Sequence, residues 1–294
     1  MSQVSVVAVT YSPGTSLDDF LESLAGASAE AVEVVLADNG STDGSPQRAA
    51  EDPHVRLLST GGNVGYGRAA NKGVAETSSE WVVVANPDVV WHRGSLDELV
   101  AVAQRWPRAG AVGPLIRTEA GEVYPSAREL PSFGRGIGHA VFGAVWPGNP
   151  WTRSYRREQE PVERTAGWLS GSCLLFRREA FEAVGGFDPS YFMYFEDVDL
   201  GERLGRAGWL NVYAPSAEIV HTGSHATVHN KQAMFVEHHR SAYRYLARKY
   251  AGMRWLPLRM VLWTGLMARA RVAPPLIEFV QRRTARSTPK GKTE

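Results

Sequence analysis

Cysteine is almost missing: Cys173 stands alone among 294 residues, which excludes an internal disulfide and suits a reducing compartment. A lone thiol is ordinarily a small core hydrophobe, and no chemistry is assigned to it. Long apolar runs are missing too, since none reaches the roughly 18–20 residues that cross a bilayer. The opening MSQVSVVAVTYS has neither the basic n-region nor the cleavage site of a leader, and is expected to form a first strand. The protein is therefore expected to be cytoplasmic, or held peripherally at the inner face of the cell membrane. No internal repeat is found. Net charge is small at +1, but it hides a division. Residues 1–220 carry 18 Lys and Arg against 28 Asp and Glu, whereas residues 221–294 carry 14 against 3. A basic end of this kind implies an anionic partner: a membrane, a nucleic acid or a phosphorylated substrate. What the chain does have is 44% hydrophobic residues and nine Trp, enough for a sizeable core in one large α/β domain with an appendage.

Short β-branched runs alternate with helical spacing. Val4–Val9, Val32–Ala37, Val55–Leu58 and Trp81–Ala85 predict strands, each stopping at a polar or Pro/Gly-containing loop. Leu17, Phe20, Leu21 and Leu24 follow at helical spacing, and further helices are expected near 65–76 and 94–105. This alternation predicts a mostly parallel sheet with helices on both faces. Ligands then bind beyond the carboxyl ends of the strands, which puts the loops at 10–14, 38–44 and 86–88 on one rim. Residues 124–164 lack periodicity and are expected to be a long surface loop. Strands at Cys173–Phe176 and Leu210–Tyr213 and helices near 178–184, from Glu196 and at 231–250 complete the regular part. Residues 284–294 are expected to be disordered.

Several residues carry chemistry by type and position. Asp38 ends a strand ahead of Asn39-Gly40-Ser41-Thr42-Asp43, where a carboxylate can accept from a nucleobase N–H; Asp43 reads as a turn or cap residue. Gly61 to Lys72 contains Gly65-x-Gly67-x-x-Ala70, close to a dinucleotide fingerprint. A nicotinamide-dependent oxidoreductase is the rival it raises, but the fingerprint belongs at the first strand–helix turn, here Thr10–Gly14 without such glycines. Asn86-Pro87-Asp88 ends the fourth strand, and its carboxylate suits a hard divalent cation beside a diphosphate. Glu196-Asp197-Val198-Asp199 opens a helix behind five large apolar residues. Acids in a first turn are ordinarily dipole partners, but burial and like charge would raise a carboxylate pKa toward that of a general base.

Taken in order, Val6-Val7-Ala8-Val9-Thr10-Tyr11, Asp38 to Asp43, Asn63 to Asn71, Asn86-Pro87-Asp88, Glu196 to Asp199 and His221-Thr222-Gly223 resemble the family 2 glycosyltransferases of GT-A fold over about residues 4–250. Within them the pattern is most similar to the actinobacterial rhamnosyltransferases of the arabinogalactan linker. The resemblance implies an inverting, metal-dependent transfer of L-rhamnose from dTDP-rhamnose to a lipid-linked, polyprenyl-diphosphate N-acetylglucosamine in cell-wall synthesis, with a UDP-linked donor or another acceptor as the alternative. It implies a catalytic domain at 1–220, with its nucleotide-sugar half at about 1–115 and acceptor half at 116–220, then a basic, apolar helical region at 221–283. Donor contacts would fall on Thr10, Tyr11, Asp38, Gly65, Arg68, Asn71, Asn86 and Asp88. Mn2+ or Mg2+ would be held by Asp88 and His221, and Asp197 would be the catalytic base. The acceptor would meet Trp168, Gly171, Glu196 and Asp199, where Trp168 could equally be core and the two acids could equally cap the helix. No second carboxylate is placed to serve as a nucleophile, which argues against retention. The basic end lacks any nucleic-acid recognition motif, so an anionic membrane surface is the expected partner there. Packing of this region on the chain's own catalytic domain, or on a second copy in a homo-oligomer, is the other reading.

Overall fold

A computed structural model describes residues 3–131, 160–223 and 231–287, with side chains to Arg271 in the last helix. The chain divides into two compact units, residues 1–192 with 196–226 and residues 193–195 with 227–294.

The first unit is built on a ten-stranded sheet. Strands β1 (Val4–Thr10), β2 (Glu33–Asp38), β3 (Val55–Ser59) and β4 (Trp81–Ala85) run parallel in the order β3-β2-β1-β4. Beside β4 the sheet continues with β11 (Cys173–Arg177), β6 (Ala109–Arg117), β12 (Leu210–His221) and β5 (Val89–Trp91). Of these β11 and β5 are antiparallel to their neighbours, and β12 runs parallel to β6. Short strands β7 (Val123–Tyr124) and β9 (Arg164–Ala166) pair with β6 and β12, while β8 (Ala127–Arg128) and β10 (Trp168–Leu169) form a ribbon of their own.

All seven residues of β1 are buried, because helices cover both faces of the sheet. Val4, Val6 and Ala8 point to one face, against Leu17, Phe20 and Leu24 of α1 (Ser16–Leu24) and Leu96 and Leu99 of α4 (Ser95–Arg105). Val7 and Val9 point to the other, against α3 (Tyr66–Ala75), α5 (Arg178–Ala183) and α6 (Glu196–Arg206). The short α2 (Ser45–Ala49) follows β2. This is the expected doubly covered, mostly parallel sheet. Most of the stretch expected as a long loop, 132–159, lies outside the described residues.

In the second unit α7 (Lys231–Lys249) packs on α8 (Leu256–Ser287), with a 3-10 turn at Met253–Trp255 between them. Tyr194 and Phe195 lay their rings on His238, and Ser241 donates to the Met193 carbonyl at 2.9 Å. Helix α8 runs through Ser287, so residues 284–287 of the expected disordered tail are helical, and 288–294 lie outside the described residues. No helix among the described residues is long and apolar enough to cross a membrane.

Candidate active site

The carboxyl ends of the parallel strands bring Thr10 and Asp38 together as a register pair, and Asn86 follows Ala85, the last paired residue of β4, at the same end of the sheet. Buried Thr10 donates its hydroxyl to Asp38 Oδ1 at 3.1 Å, and Ser41 N–H donates to the same oxygen at 3.1 Å. Among the described contacts Asp38 Oδ2 accepts nothing, so the carboxylate is oriented by one oxygen and offers the other. Tyr11 stands exposed beside it. Asp43 takes the Gly14 N–H at 2.7 Å and the Ser45 hydroxyl, the turn role expected of it.

The glycine loop folds back on β2: Val64 N–H donates to Asn39 Oδ1 at 2.8 Å, and Asn39 Nδ2 donates to Asn63 Oδ1 at 3.0 Å. Gly65 has φ +92°, and a Cβ there would lie 2.5 Å from the Phe192 carbonyl oxygen. A Cβ on Gly67 would lie 2.8 Å from that of Phe187. Both glycines thus let α3 close onto the segment leading to the acids. Asn71, expected at the donor, donates Nδ2 to Phe187 O at 2.7 Å and accepts Phe187 N–H on Oδ1 at 2.9 Å, which holds that segment against α3. Arg68 donates Nε to Pro189 O at 2.6 Å and is otherwise exposed.

Asp88 is buried, and neither carboxylate oxygen has a hydrogen-bond partner. His221 Nε2 lies 3.2 Å from Asp88 Oδ1 and 3.2 Å from Asn86 Nδ2. Strand β12 makes this proximity: His221 pairs with Val89, and Thr222 N–H donates to the Asp88 carbonyl at 3.1 Å. A buried carboxylate without a donor is costly. A carboxylate oxygen and an imidazole nitrogen facing it at this spacing, with no donor supplied to the carboxylate, fit a divalent cation. Among the described residues no group of three or more His, Cys, Asp or Glu could hold a metal, so the two would bind it together with ligand oxygens. His225 and His229 lie outside the described residues.

The acids at the start of α6 separate by environment. Asp197 Oδ2 accepts Gly171 N–H at 2.9 Å and Oδ1 accepts Val198 N–H at 2.8 Å. Burial raises its pKa, against the pull of these amides and of Arg128. Glu196 is buried with Oε2 unpartnered; burial first, and the Asp197 charge second, push it up to about 8. Asp199, expected on the acceptor side or as a helix cap, is buried and paired with Arg203 Nε at 2.6 Å within the helix. Trp168 is half-buried, donates Nε1 to Glu129 O at 3.2 Å, and packs against Gly201 of α6.

Two contributors lie beyond the expected set. Tyr66 donates its hydroxyl to Gly171 O at 2.9 Å, and burial with nearby Glu196 holds its pKa well above the ordinary phenol value, so it stays a donor. Asn86 N–H donates to Ser172 O at 2.9 Å. The 170–172 turn is thus fastened to α3, to the Asp88 loop and to Asp197 at once. Arg128 is the second, pairing with Trp168 across the β8–β10 ribbon.

A sheet rim that carries Asp38, a facing Asp88–His221 pair that fits a divalent cation, and a buried acid at a helix start suits an enzyme that handles a phosphorylated ligand. The sequence model of Glycosyl transferase family 2 matches residues 5–185, and that of Glycosyl transferase family group 2 matches 151–280. The chain belongs to glycosyl transferase family 2. It is 55% identical, over 91% of both chains, to the N-acetylglucosaminyl-diphospho-decaprenol L-rhamnosyltransferase of Mycobacterium tuberculosis (strain CDC 1551 / Oshkosh). It is 27% identical to the rhamnosyltransferase WbbL of Escherichia coli (strain K12), over 84% of this chain and 93% of that one. Its fold is that of a Pyrobaculum calidifontis mannosyltransferase solved with GDP-Man and Mn2+, at 19% identity and a TM-score of 0.59, covering 99% of this chain and 76% of that one. The chain is thus a glycosyltransferase of GT-A fold, and the oxidoreductase alternative falls.

Proposed function

We propose that this glycosyltransferase moves L-rhamnose from dTDP-rhamnose to the N-acetylglucosamine of a polyprenyl-diphosphate acceptor, inverting the anomeric centre, at the inner face of the cell membrane. The likeness to the M. tuberculosis enzyme along 91% of both chains carries the substrate reading. The geometry supports the following chemistry. Asp38 orients the base, with Thr10 and Tyr11 beside it. Arg68, at the start of α3, offers its guanidinium to the donor phosphates. Asp88 and His221 would hold Mn2+ or Mg2+, which when bound neutralises the diphosphate and the charge of the leaving group. Asp197, fixed by Gly171 and Val198, takes the proton of the acceptor hydroxyl as that oxygen bonds to the anomeric carbon. The bond to the nucleoside diphosphate breaks on the opposite side, in one displacement. Trp168 lines the acceptor side, and Glu196, held neutral, leaves Asp197 the charged partner.

The test is a thermal-shift panel of nucleotide sugars with and without manganese, followed by a transfer assay on a synthetic lipid-diphosphate N-acetylglucosamine. Manganese-dependent stabilisation by dTDP-rhamnose and a rhamnosylated product are expected. Stabilisation by a UDP-sugar alone, or no product on that acceptor, overturns the donor or the acceptor assignment respectively.

A further inference from the structure

Arg128 is an arginine of the first unit that forms no salt bridge among the described residues. Arg105, Arg117, Arg177 and Arg203 each have a carboxylate within ion-pair reach, whereas Arg128 has none among the described residues. Its guanidinium lies over two rings, 5.6 Å from the centroid of Tyr124 and 5.8 Å from that of Trp168. Its Nε donates to Pro125 O at 2.7 Å. Aromatic faces and one backbone bond fix the plane of the group and leave its two terminal nitrogens as an open fork, the geometry that receives two oxygens of a phosphate.

The place of that fork matters. Arg128 pairs with Trp168 on the β8–β10 ribbon, and three residues beyond Trp168 comes Gly171, whose N–H holds Asp197. Ser170 N–H donates to Ser126 O at 2.7 Å, locking the ribbon to the same turn. Arg128 therefore stands beside the proposed base on the acceptor side, close enough for its charge to lower the Asp197 pKa. The Asp88 loop is fastened to the other end of the same turn, where Asn86 N–H donates to Ser172 O at 2.9 Å, so the proposed metal pair and Arg128 attach to the turn at different ends.

We propose that Arg128, clasped by Tyr124 and Trp168, binds the diphosphate of the acceptor and so selects a phosphorylated acceptor over a neutral glycoside. The proposal rests on the lipid-diphosphate reading above. The acceptor hydroxyl sits at Asp197, the sugar ring spans the turn, and the diphosphate on its far end meets the guanidinium. Trp168 then serves both as a wall for the sugar and as the plate that orients the arginine.

The test compares wild type with Arg128→Gln and Arg128→Met on two acceptors, a short-chain lipid-diphosphate N-acetylglucosamine and a neutral alkyl N-acetylglucosaminide. Methionine keeps an apolar stem between the rings, so that folding does not depend on a single replacement. The wild type is expected to favour the diphosphate acceptor. In the variants the acceptor KM for it should rise tenfold or more, with kcat falling much less, and the preference over the neutral acceptor should collapse. A loss of kcat at unchanged acceptor KM, or an equal loss on both acceptors, overturns the proposal and leaves Arg128 as a residue that only tunes Asp197. Wild-type protein that rhamnosylates neither acceptor sinks the acceptor reading itself, a separate result.

Discussion

Glu196 and Asp197 are adjacent acids at the start of one helix, and their surroundings give them different work. Asp197 receives two backbone amides, which keep a charge there that burial would otherwise suppress. Glu196 has no donor for Oε2 and keeps its proton instead. Asp197→Asn removes the proton acceptor while preserving shape, so kcat should fall by at least ~10² with donor affinity retained, read by steady-state kinetics and calorimetry. Full turnover in that variant would refute the assignment. Glu196 makes a different prediction, about stability. Its pKa is raised from 4.5 in the unfolded chain to about 8 in the fold, so across that interval the folded protein holds a proton that the unfolded chain has released. That group's contribution is full below pH 4.5 and is lost as pH rises toward 8. Glu196→Gln cannot ionise, so its Tm relative to wild type should climb from pH 5 to pH 8. A Tm difference independent of pH would mean that Glu196 is already ionised at pH 5.

Strand β12 explains how one element brings together residues 133 positions apart in the chain. A register shift between Ala214 and Glu218, at Pro215, lets the strand resume pairing with β6 and then take up β5, delivering His221 beside Asp88. Read from sequence, the strand stops at Tyr213, because proline removes a ladder donor and ordinarily ends a strand. His221 was legible only through the motif that it opens. The same obstacle hides β6, whose Gly110, Gly113 and Pro114 read as breakers. Its glycines are there because Trp209 and Leu169 pack where their Cβ atoms would be. By contrast β1 to β4, whose apolar runs end at clean polar turns, were legible at nearly their observed bounds, and so was the rim. Tyr66 and Arg128 were not: a phenol bonded 105 residues away and a guanidinium clasped across a ribbon of two-residue strands leave no local periodicity. The delivered pair makes its own prediction. Asp88→Ala should abolish the manganese-dependent part of donor binding in calorimetry, and His221→Ala should weaken it less, since a carboxylate is the harder ligand. Donor binding by wild type that is indifferent to EDTA would remove the metal from this site, and Arg68 would then have to carry the phosphate charge.

At the scale of the whole chain an acidic catalytic sequence is followed by a basic C-terminal one, and we expect the two to meet different partners. Helix α8 has apolar side chains on both sides. Leu258, Leu262, Leu266 and Ala270 are turned inward at helical spacing, while Met260, Val261 and Trp263 are 62%, 68% and 50% exposed. Arg254, Arg259 and Arg271 lie in the same stretch of sequence, and residues 231–287 hold twelve Lys and Arg against two Glu. An outer stripe of Met, Val and Trp with arginines in the same stretch suits the boundary between headgroups and acyl chains, where each cation contributes on the order of 1 kcal/mol. A lipid-linked acceptor resides at that same surface, so attachment would confine enzyme and acceptor to two dimensions. We expect the full-length protein to co-sediment with vesicles rich in phosphatidylglycerol, and less so at high salt as the electrostatic part is screened. Met260→Glu with Trp263→Glu should cut vesicle binding at least ~10-fold while changing the melting temperature far less than substitution of a core residue would, because half or more of each side chain already faces solvent. Vesicle binding equal to wild type in that double variant would refute insertion of this face. A wild-type dimer in light scattering that the same two substitutions convert to monomer would instead make the stripe a subunit interface, with the arginines left to meet the acceptor's phosphates alone.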